Sequence, residues 1–280
     1  MRSVRTFVLL PATAFLTVGA GLLLPADAQA QADAVACTES ALVTAVTTTN
    51  AAGGGVITLA GGCTYTLTSA HASDLVNGAD GLPHITTAIT FEGDNNVITR
   101  SGAADFRILR VSSTGNLTLK GVTVNNGSAN GLLGLLPGNG GGILNLGALT
   151  LTNSAVTNSR ATGTGGGVHN GSGAAATFTG STLSGNTAAG NGGALYNTAT
   201  ATLTSSTVNG GNKAARGGGI ASVNGILTVT STPVTANIAL VAAGGVYRQS
   251  GTMTITASSI SFNTPDNCTS SVPAVPGCVG

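Results

Sequence analysis

The chain has no tryptophan, and aromatic residues make up only 3% of its sequence. Charged residues amount to 7%, so few side chains are available for ionic or acid–base chemistry. Long segments with helical apolar periodicity are also missing, which argues against ankyrin-type and leucine-rich repeats. Disorder is not expected either, because 42% of the residues are apolar in spite of 43 glycines. The composition therefore favours a folded, strand-rich chain with a charge-poor surface.

The N-terminus has the features of an export signal. Two arginines lie in the first five residues, an uncharged apolar run covers residues 7–24, and Ala28-Gln29-Ala30 matches the small-x-small pattern of signal-peptidase sites. We predict that residues 1–30 are a signal peptide whose removal leaves a secreted, extracellular protein. A single membrane anchor is the competing interpretation, since the apolar run is nearly long enough to span a bilayer. Lipid attachment at Cys37 is a weaker alternative.

Removal of the signal peptide changes the charge balance. Eight Lys/Arg and eight Asp/Glu remain, so the mature chain has a formal net charge of zero. A neutral chain lacks the positive surface with which proteins bind nucleic acid or anionic lipid. We therefore expect neither nucleic acid nor a membrane as a partner of the mature protein.

Four cysteines in an exported chain predict two disulfides. The sequence allows three pairings. We favour Cys37–Cys63 and Cys268–Cys278, because each pair then lies at one end of the chain.

A repeat of 25 or 26 residues covers the second half of the chain. A Gly-Gly-(Gly)-apolar motif recurs with its apolar residue at Ile143, Val168, Ala194, Ile220 and Val246. A motif of apolar residues alternating with threonine follows, and then a third apolar position, at Val156, Leu183, Val208, Val234 and Ile260. Fixed periods in this range are typical of stacked structural units.

The strand pattern within each repeat indicates the fold. Three short segments alternate with period two, and none is long enough for a helix. Three strands per repeat correspond to one turn of a parallel β-helix, with apolar residues inside and threonine outside. We predict an all-β solenoid of about eight turns over residues 56–264, roughly 40 Å long. One inward column should contain Leu151, Phe178, Leu203, Val229 and Ile255.

The two ends of such a solenoid need cover, because unpaired strand edges promote association. Residues 31–55 are predicted to form an N-terminal cap with a short helix near residues 40–46. Residues 265–280 are predicted to form a disulfide-clipped tail over the C-terminal end.

Asparagine recurs just after the third strand, at Asn186, Asn212, Asn237 and Asn263. Asparagine tolerates a left-handed backbone, and stacked amides can form hydrogen bonds from turn to turn. We assign these residues to tight bends.

The segment from Cys37 to Arg100, with the Gly-Gly-x-Ile/Val-x-Asn and Leu-Thr-Leu-Thr-x-Ser repeats, resembles secreted bacterial right-handed parallel β-helix proteins. These belong to the pectate-lyase-like superfold and include the polymorphic outer-membrane-protein type of repeat. The sequence Cys37-Thr38-Glu39-Ser40-Ala41-Leu42 is similar to the Cys-Ser-Leu-Arg-Glu-Ala opening of related chains. The resemblance implies a right-handed coil and export. It leaves function open, since the superfold includes lyases, hydrolases, adhesins and ice-binding proteins.

Catalysis in the repeats is not expected. The resemblance implies that a hydrolase would place several Asp residues on adjacent coils, and that a lyase would use carboxylate-bound Ca²⁺ with an Arg or Lys base. No Asp or Glu occurs from Phe106 to Pro265, a span of 160 residues that includes every clear repeat. We therefore predict no catalytic residue, no metal and no cofactor there.

The strongest remaining catalytic candidate is the loop from His71 to His84, which contains Asp74, Asn77 and Asp80. Its spacing matches no metal-ligand signature, so we interpret it as an excursion between coils.

A basic region follows this loop. Arg100, Arg107, Arg110 and Lys120 lie near Asp105 in sequence, and we interpret them as a solvated face. His169 is isolated and is assigned to a bend or to the surface.

Two features are candidate binding surfaces. The leucine-rich insertion at residues 129–137 either packs under the coil or forms an exposed contact patch. The threonines of the alternating motif form two outward columns, with neighbours about 4.8 Å apart between coils and about 6.6 Å apart along a strand. They are Thr150, Thr152, Thr177, Thr179, Thr202, Thr204, Thr228, Thr230, Thr254 and Thr256.

This Thr-x-Thr array resembles the surface of β-helical ice-binding proteins. Threonine is, however, favoured at any outward strand position. The neighbouring positions, taken as outward, vary too much to indicate a surface selected for flatness: Asn153, Gly180, Ser205, Ser231 and Ala257. We therefore expect no ice shaping or thermal hysteresis.

The sequence as a whole favours a non-enzymatic secreted or cell-surface β-helix that adheres to glycans or other cell-surface material. A polysaccharide lyase or hydrolase is the alternative, with a site around Asp74, Asp80, His84, Arg107 and Arg110. An ice-binding protein is the second alternative. The oligomeric state stays open.

Overall fold

Short extended segments make up most of the chain. The computed structural model describes residues 34–131 and 136–279. The predicted signal peptide at residues 1–30 and residues 132–135 of the leucine-rich insertion lie outside the described residues. One helix, α1 (Glu39–Ala51), precedes the strands. The strands are β1 (Gly54–Thr58), β2 (Thr64–Leu67), β3 (Ala72–Asp74), β4 (Gly78–Asp80), β5 (Ala88–Arg100), β6 (Leu109–Val111), β7 (Asn116–Asn125), β8 (Ser128–Ala129), β9 (Ile143–Asn145), β10 (Ala148–Thr152), β11 (Ala155–Thr157), β12 (Arg160–Ala161), β13 (Val168–Asn170), β14 (Ala175–Thr179), β15 (Thr182–Ser184), β16 (Thr187–Ala188), β17 (Leu195–Asn197), β18 (Thr200–Thr204), β19 (Thr207–Asn209), β20 (Lys213–Arg216), β21 (Ile220–Val223), β22 (Ile226–Thr230), β23 (Val234–Thr235), β24 (Ile238–Ala242), β25 (Val246–Gln249), β26 (Thr252–Thr256) and β27 (Ile260–Ser261).

The strands stack in parallel layers that form three main sheets. Sheet 1 has the order β26-β22-β18-β14-β10-β7-β11-β15-β19-β23-β27, and it also contains β5, β1 and β2. Sheet 2 has the order β24-β20-β16-β12-β8, and sheet 3 has the order β25-β21-β17-β13-β9-β6. Each strand pairs with the equivalent strand of the next turn, so the chain is a parallel β-solenoid, as predicted.

Each turn in the repeat region contains four strands rather than the three predicted. In one turn, β10 and β11 belong to sheet 1, β12 to sheet 2 and β13 to sheet 3. The additional strand is the one in sheet 2. It has only two residues in β12 and β16, too few to give an alternating sequence pattern.

A left-handed bend separates the first two strands of each turn. The bend residues have positive φ and are Asn153, Gly180, Ser205, Ser231 and Ala257. All five are exposed, as predicted, but they lie at the bend rather than within a strand. They turn the chain between the two halves of sheet 1.

The solenoid has about six turns rather than the eight predicted. Repeat length alone suggests eight, but β3 and β4 form an antiparallel hairpin outside the stack. In addition, β1 and β2 both pair with the long strand β5, so they share one layer. Less of the N-terminal chain is therefore wound into turns than its length suggests.

Apolar residues face inward in the predicted column. Leu151, Phe178, Leu203 and Val229 are fully buried and align across β10, β14, β18 and β22. Ile255 continues the column in β26 but is only half-buried, because it lies in the last strand of the stack. The predicted strand register in sheet 1 is confirmed.

The register of the glycine-rich motif differs from the prediction at one repeat. Val168 pairs with Leu195, not with Ala194, and Leu195 pairs with Ile220. Four residues separate β13 from β14, whereas two separate β9 from β10. A constant period therefore places the first paired residue of β17 at Ala194, one residue before its position at Leu195.

The recurring asparagines form an internal ladder. Asn186, Asn212, Asn237 and Asn263 are at most 8% exposed. The Nδ2 of Asn212 donates a hydrogen bond to Oδ1 of Asn237 at 2.8 Å, and Asn186 and Asn237 bond to the next amide in the same way. The left-handed residue is the one before each asparagine, for example Gly185 or Ala236. The predicted turn-to-turn bonding is confirmed, and the asparagines lie at the bend as predicted, but the preceding residue rather than the asparagine adopts the left-handed backbone.

Two further polar ladders are not predicted by the sequence interpretation, although their residues belong to the repeat motifs. Asn145, Asn170 and Asn197 are buried at the ends of strands β9, β13 and β17 in sheet 3, and the first two each donate from the amide to the next asparagine, at 2.7 and 2.8 Å. A second ladder follows the bend in sheet 1 and consists of Ser154, Ser181, Ser206 and Thr232. The backbone N–H of each of the first three donates to the hydroxyl of the equivalent residue in the next turn. These ladders satisfy polar groups that the corners would otherwise leave buried and unpaired.

Helix α1 covers the N-terminal end of the stack, as predicted. Leu42 and Val46 are fully buried on its inner side. The Oγ1 of Thr38 accepts a hydrogen bond from the backbone N–H of Ala41 at 3.2 Å, which caps the helix. The Cys37–Cys63 disulfide joins the helix start to the first turn.

The C-terminal tail covers only part of the other end. Thr264 pairs with Ile238 and Val272 with Gln249, which extends sheets 2 and 3. The tail contains the second predicted disulfide, Cys268–Cys278. Among the described residues, none pairs with the outer edge of β26 or β27, so sheet 1 ends in an open edge.

The register leads to a test of stability. In Leu203→Asp, an unpaired carboxylate would enter the inward column, so we expect the free energy of unfolding to fall by more than about 3 kcal/mol. The outward neighbour provides the matched control, because Thr204→Asp should change this free energy by less than about 1 kcal/mol. Urea unfolding of both variants measures the difference. Equal stability of Leu203→Asp and the unmodified protein would contradict the register.

Candidate functional site

All ten predicted threonines lie on the outer surface of sheet 1. One column contains Thr150, Thr177, Thr202, Thr228 and Thr254, and the other contains Thr152, Thr179, Thr204, Thr230 and Thr256. Each of them is exposed or half-buried. The sequence therefore predicts both the alignment and the outward direction correctly.

The first column is longer than predicted. Thr118 pairs with Thr150, and Thr90 pairs with Thr118, so seven threonines follow one another without interruption. The alternating sequences around Thr90 and Thr118 contain the signal, but they lie outside the regular repeat. We call the surface formed by these seven threonines and the five of the second column the threonine face.

The second column ends in an ion pair rather than in further threonines. Thr152 pairs with Lys120, and Lys120 pairs with Glu92. The Lys120 ammonium lies 2.9 Å from the Glu92 carboxylate, and both side chains are about half exposed. The threonine face itself carries no charge.

The hydroxyls of the ten predicted threonines have no hydrogen-bond partner in the described part of the chain. Each can therefore donate one hydrogen bond and accept others from water or from a ligand. The strand geometry places them at about 4.8 Å across the layers and about 6.6 Å along each strand. The face is a regular array of free hydroxyls and methyl groups.

The second candidate, around the loop from His71 to His84, is organised by a buried ion pair. The loop contains the β3–β4 hairpin, which confirms the predicted excursion. The Arg107 guanidinium lies 2.6 Å from Oδ1 of Asp80, and both side chains are fully buried. The other oxygen, Oδ2, lies 2.8 Å from Nε2 of His84. Both oxygens of the Asp80 carboxylate are therefore already bonded.

A second ion pair holds the tip of the hairpin. The Arg110 guanidinium contacts the Asp74 carboxylate, which also accepts hydrogen bonds from the backbone and side chain of Asn77. Arg107 donates to the backbone carbonyl of Asn77 and so joins the two pairs. The predicted solvated face is therefore wrong for Arg107 and Arg110, because their charges are used to dock the hairpin.

His169 extends this network towards sheet 3. The Arg107 Nε donates to the carbonyl of Asn139 at 3.2 Å, and Oδ1 of Asn139 accepts from the Thr164 hydroxyl. That hydroxyl lies 2.8 Å from Nδ1 of His169, whose ring stacks on Tyr196 at 5.1 Å between centroids. The sequence interpretation offers a bend or the surface for His169, and the surface is correct, although the residue is not isolated. It lies half-buried on the outer side of β13.

Burial lowers the pKa of His169 to about 4, and the positive charge of Arg107 lowers it further, against a hydrogen bond with Thr164. His169 is therefore neutral at neutral pH. It contributes packing rather than charge to the network.

Glu39 anchors the start of the hairpin to helix α1. Burial raises its pKa, but hydrogen bonds from the Thr68 hydroxyl, from His71 and from the backbone of Thr68 and Ser69 outweigh this effect. The pKa of Glu39 is held at about 2 as a result. The contact with His71 Nε2 is 2.8 Å long. This carboxylate is used structurally as well.

Neither candidate surface has an arrangement typical of a metal centre. Among residues 34–131 and 136–279, no three His, Cys, Asp or Glu side chains lie close enough together to hold a metal ion. Over the same residues, the single helix is too short to cross a bilayer.

Comparison of the chain with protein-family models, with curated proteins and with solved structures gives no match.

The low pKa of His169 predicts a pH-dependent stability. The ordinary pKa is 6.5, so the unfolded chain binds a proton that the folded chain does not bind until the pH approaches 4. Stability should therefore fall by about 2 kcal/mol between roughly pH 7 and pH 5. The contribution of Glu39 is lost only below its ordinary pKa of 4.5, so it does not affect this window.

Urea unfolding at both pH values measures this slope, and His169→Gln should reduce it. An equal slope in His169→Gln and the unmodified protein would show that another group is responsible.

Proposed function

We propose that the mature chain is an exported, non-enzymatic β-helix protein whose threonine face adheres to neutral glycans. One observation carries the proposal. The outer surface of sheet 1 presents an uncharged column of seven aligned threonines beside a second column of five. Threonine is favoured at outward strand positions, but so are valine, isoleucine and tyrosine, so folding alone does not require threonine at every one of them.

Neutral polysaccharides are complementary to such an array. Their chains present hydroxyl groups and apolar C–H surfaces at regular intervals, as the threonine face does. A single hydrogen bond between neutral groups contributes only about 1 kcal/mol, because each group gives up a bond to water. Many such contacts along one face add through multivalency, which suits attachment to an extended or insoluble glycan.

Export is part of the same proposal. The leader-like sequence at residues 1–30 and the resemblance to secreted β-helix proteins both support it. The two disulfides are consistent with an oxidising compartment. A glycan outside the cell is then an accessible ligand.

Catalysis at the hairpin is less well supported. Asp80 is fully buried, and both of its oxygens already contact Arg107 or His84. Asp74 is held by Arg110 and Asn77. General acid–base chemistry needs a carboxyl group that can reach the substrate, and these groups are committed to docking the hairpin.

Binding to the threonine face can be tested with a bulky substitution at its centre. Thr204→Tyr would project a ring from the array, so we expect roughly tenfold weaker binding to insoluble cellulose or chitin, corresponding to about 1.4 kcal/mol. Thr187→Tyr is the matched control. Because Thr187 lies on sheet 2, this variant should bind both solids as the unmodified protein does. Depletion isotherms with both solids provide the measurement. Unchanged binding by Thr204→Tyr would exclude the face.

Two other results would replace the proposal. Thermal hysteresis that is lost in Thr204→Tyr but kept in Thr187→Tyr would identify an ice-binding face, and we expect no hysteresis. Release of reducing sugars or unsaturated products from a polysaccharide panel, abolished by Asp80→Ala with folding intact, would identify an enzyme.

A further inference from the structure

The cationic side chains of the protein fall into two groups. Five of the eight Lys and Arg in the described residues have polar partners. Arg107, Arg110 and Lys120 pair with carboxylates. Arg100 and Arg248 donate to backbone carbonyls. The remaining three have no hydrogen bond or ion pair to any described residue, and they are Arg160, Lys213 and Arg216.

The three free cations lie on one side of the solenoid. Arg160 in β12 and Lys213 in β20 both pair with Thr187 of β16, so they occupy one column of sheet 2. Two layers separate them, which is about 10 Å. Both residues are exposed. Arg216 ends β20, at the corner between sheets 2 and 3. We call these three residues the cationic ridge.

Tyr247 adds an aromatic surface beside the ridge. It lies half-buried on the outer side of β25 in sheet 3. The Arg216 guanidinium is 5.8 Å from the centre of its ring, a cation–π contact that holds the arginine along the surface. The ridge therefore combines two exposed charges with one oriented charge and a phenol ring.

The repeats themselves contain no Asp or Glu. All the acidic residues of the mature chain except Asp266 precede Phe106. The mature chain has a formal net charge of zero, but most of its acidic residues precede the repeats, whereas Arg160, Lys213 and Arg216 lie within them.

Two carboxylates lie towards the ends of the ridge: Asp105 accepts a hydrogen bond from Ser128, which pairs with Arg160, and Asp266 accepts one from Ala243, which follows the pairing partner of Arg216. Neither forms an ion pair with a ridge cation, so an anion that approaches sheet 2 still meets three unpaired positive charges.

We propose that the cationic ridge, with Tyr247, binds acidic polysaccharide through its carboxylate or sulfate groups. A linear acidic glycan that lies along the solenoid axis can place one anionic group against Arg160 and another against Lys213, since their separation is comparable to the length of a disaccharide. Arg216 and Tyr247 then contact the same chain at its edge. This site shares only the extracellular location with the proposed function, because it lies on a different sheet from the threonine face.

Acidic polysaccharide fits this ridge better than nucleic acid does. Duplex DNA carries a phosphate about every 1.7 Å along its axis, and cations spaced about 10 Å apart match few of these charges. One half-buried tyrosine also falls short of the row of aromatic residues on which successive bases stack.

Binding of polygalacturonate and dextran sulfate to the purified mature protein tests the proposal, with neutral dextran as the reference. We expect both acidic polymers to bind more tightly than dextran, and the preference to weaken as salt approaches roughly 0.15 M. Each lost cation should weaken binding about fivefold, as one charge near an anionic surface contributes about 1 kcal/mol. Binding of one acidic polymer alone would assign the ridge to carboxylate or to sulfate.

Lys213→Gln and Lys120→Gln form a matched pair. Each removes one exposed lysine charge, but Lys120 lies in sheet 1 and pairs with Glu92. Only Lys213→Gln should lose affinity for the acidic polymers, and neither thermal midpoint should change. Equal losses in the two variants would overturn the proposal. Displacement of the polysaccharide by single-stranded DNA at equal charge would also overturn it. Lys213→Gln should leave binding to cellulose or chitin unchanged. A negative result for the cationic ridge would therefore leave the proposal for the threonine face intact, and the reverse also holds.

Discussion

Backbone hydrogen bonds between equivalent strands of successive turns impose one register on the whole solenoid. Because each strand pairs in parallel with its counterpart, the same position of every repeat must face the same way. Leu151, Phe178 and Leu203 therefore share a core column, and Thr150, Thr177 and Thr202 share a surface column. The polar ladders depend on the same register. Core, corners and outer faces are thus consequences of a single pairing rule.

The corners make this register specific. A shift by one residue would turn the inward apolar side chains outward, and it would also leave buried amides without their partners, which is strongly destabilising. Asn212 accepts hydrogen bonds from Asn186 and donates to Asn237, and it also bonds two backbone carbonyls. A displacement by one residue would break several of these bonds at once. We therefore interpret the asparagine and serine ladders as the elements that fix the stacking of the turns.

Outer positions are free of this constraint, so the three sheets can carry different chemistry on one scaffold. Sheet 1 presents neutral threonine, sheet 2 presents Arg160 and Lys213, and sheet 3 presents His169, Tyr196 and Tyr247. The acidic residues near the N-terminal end are largely used to dock the hairpin and helix α1. The mature chain therefore has no net charge, but individual regions of its surface are charged.

The sequence by itself determined the features that repeat: the parallel solenoid, the inward column through Leu203 and the aligned threonines. Each follows from alternation and a near-constant period, which local backbone geometry imposes on every turn. Only the tertiary structure decided the number of turns, the inward direction of Asn186, the burial of Asp80 with Arg107, and which cations lack a partner. These depend on contacts between residues far apart in the chain and on corners that differ in length by one or two residues. A period cannot specify such contacts, because a single added residue changes which side chains meet.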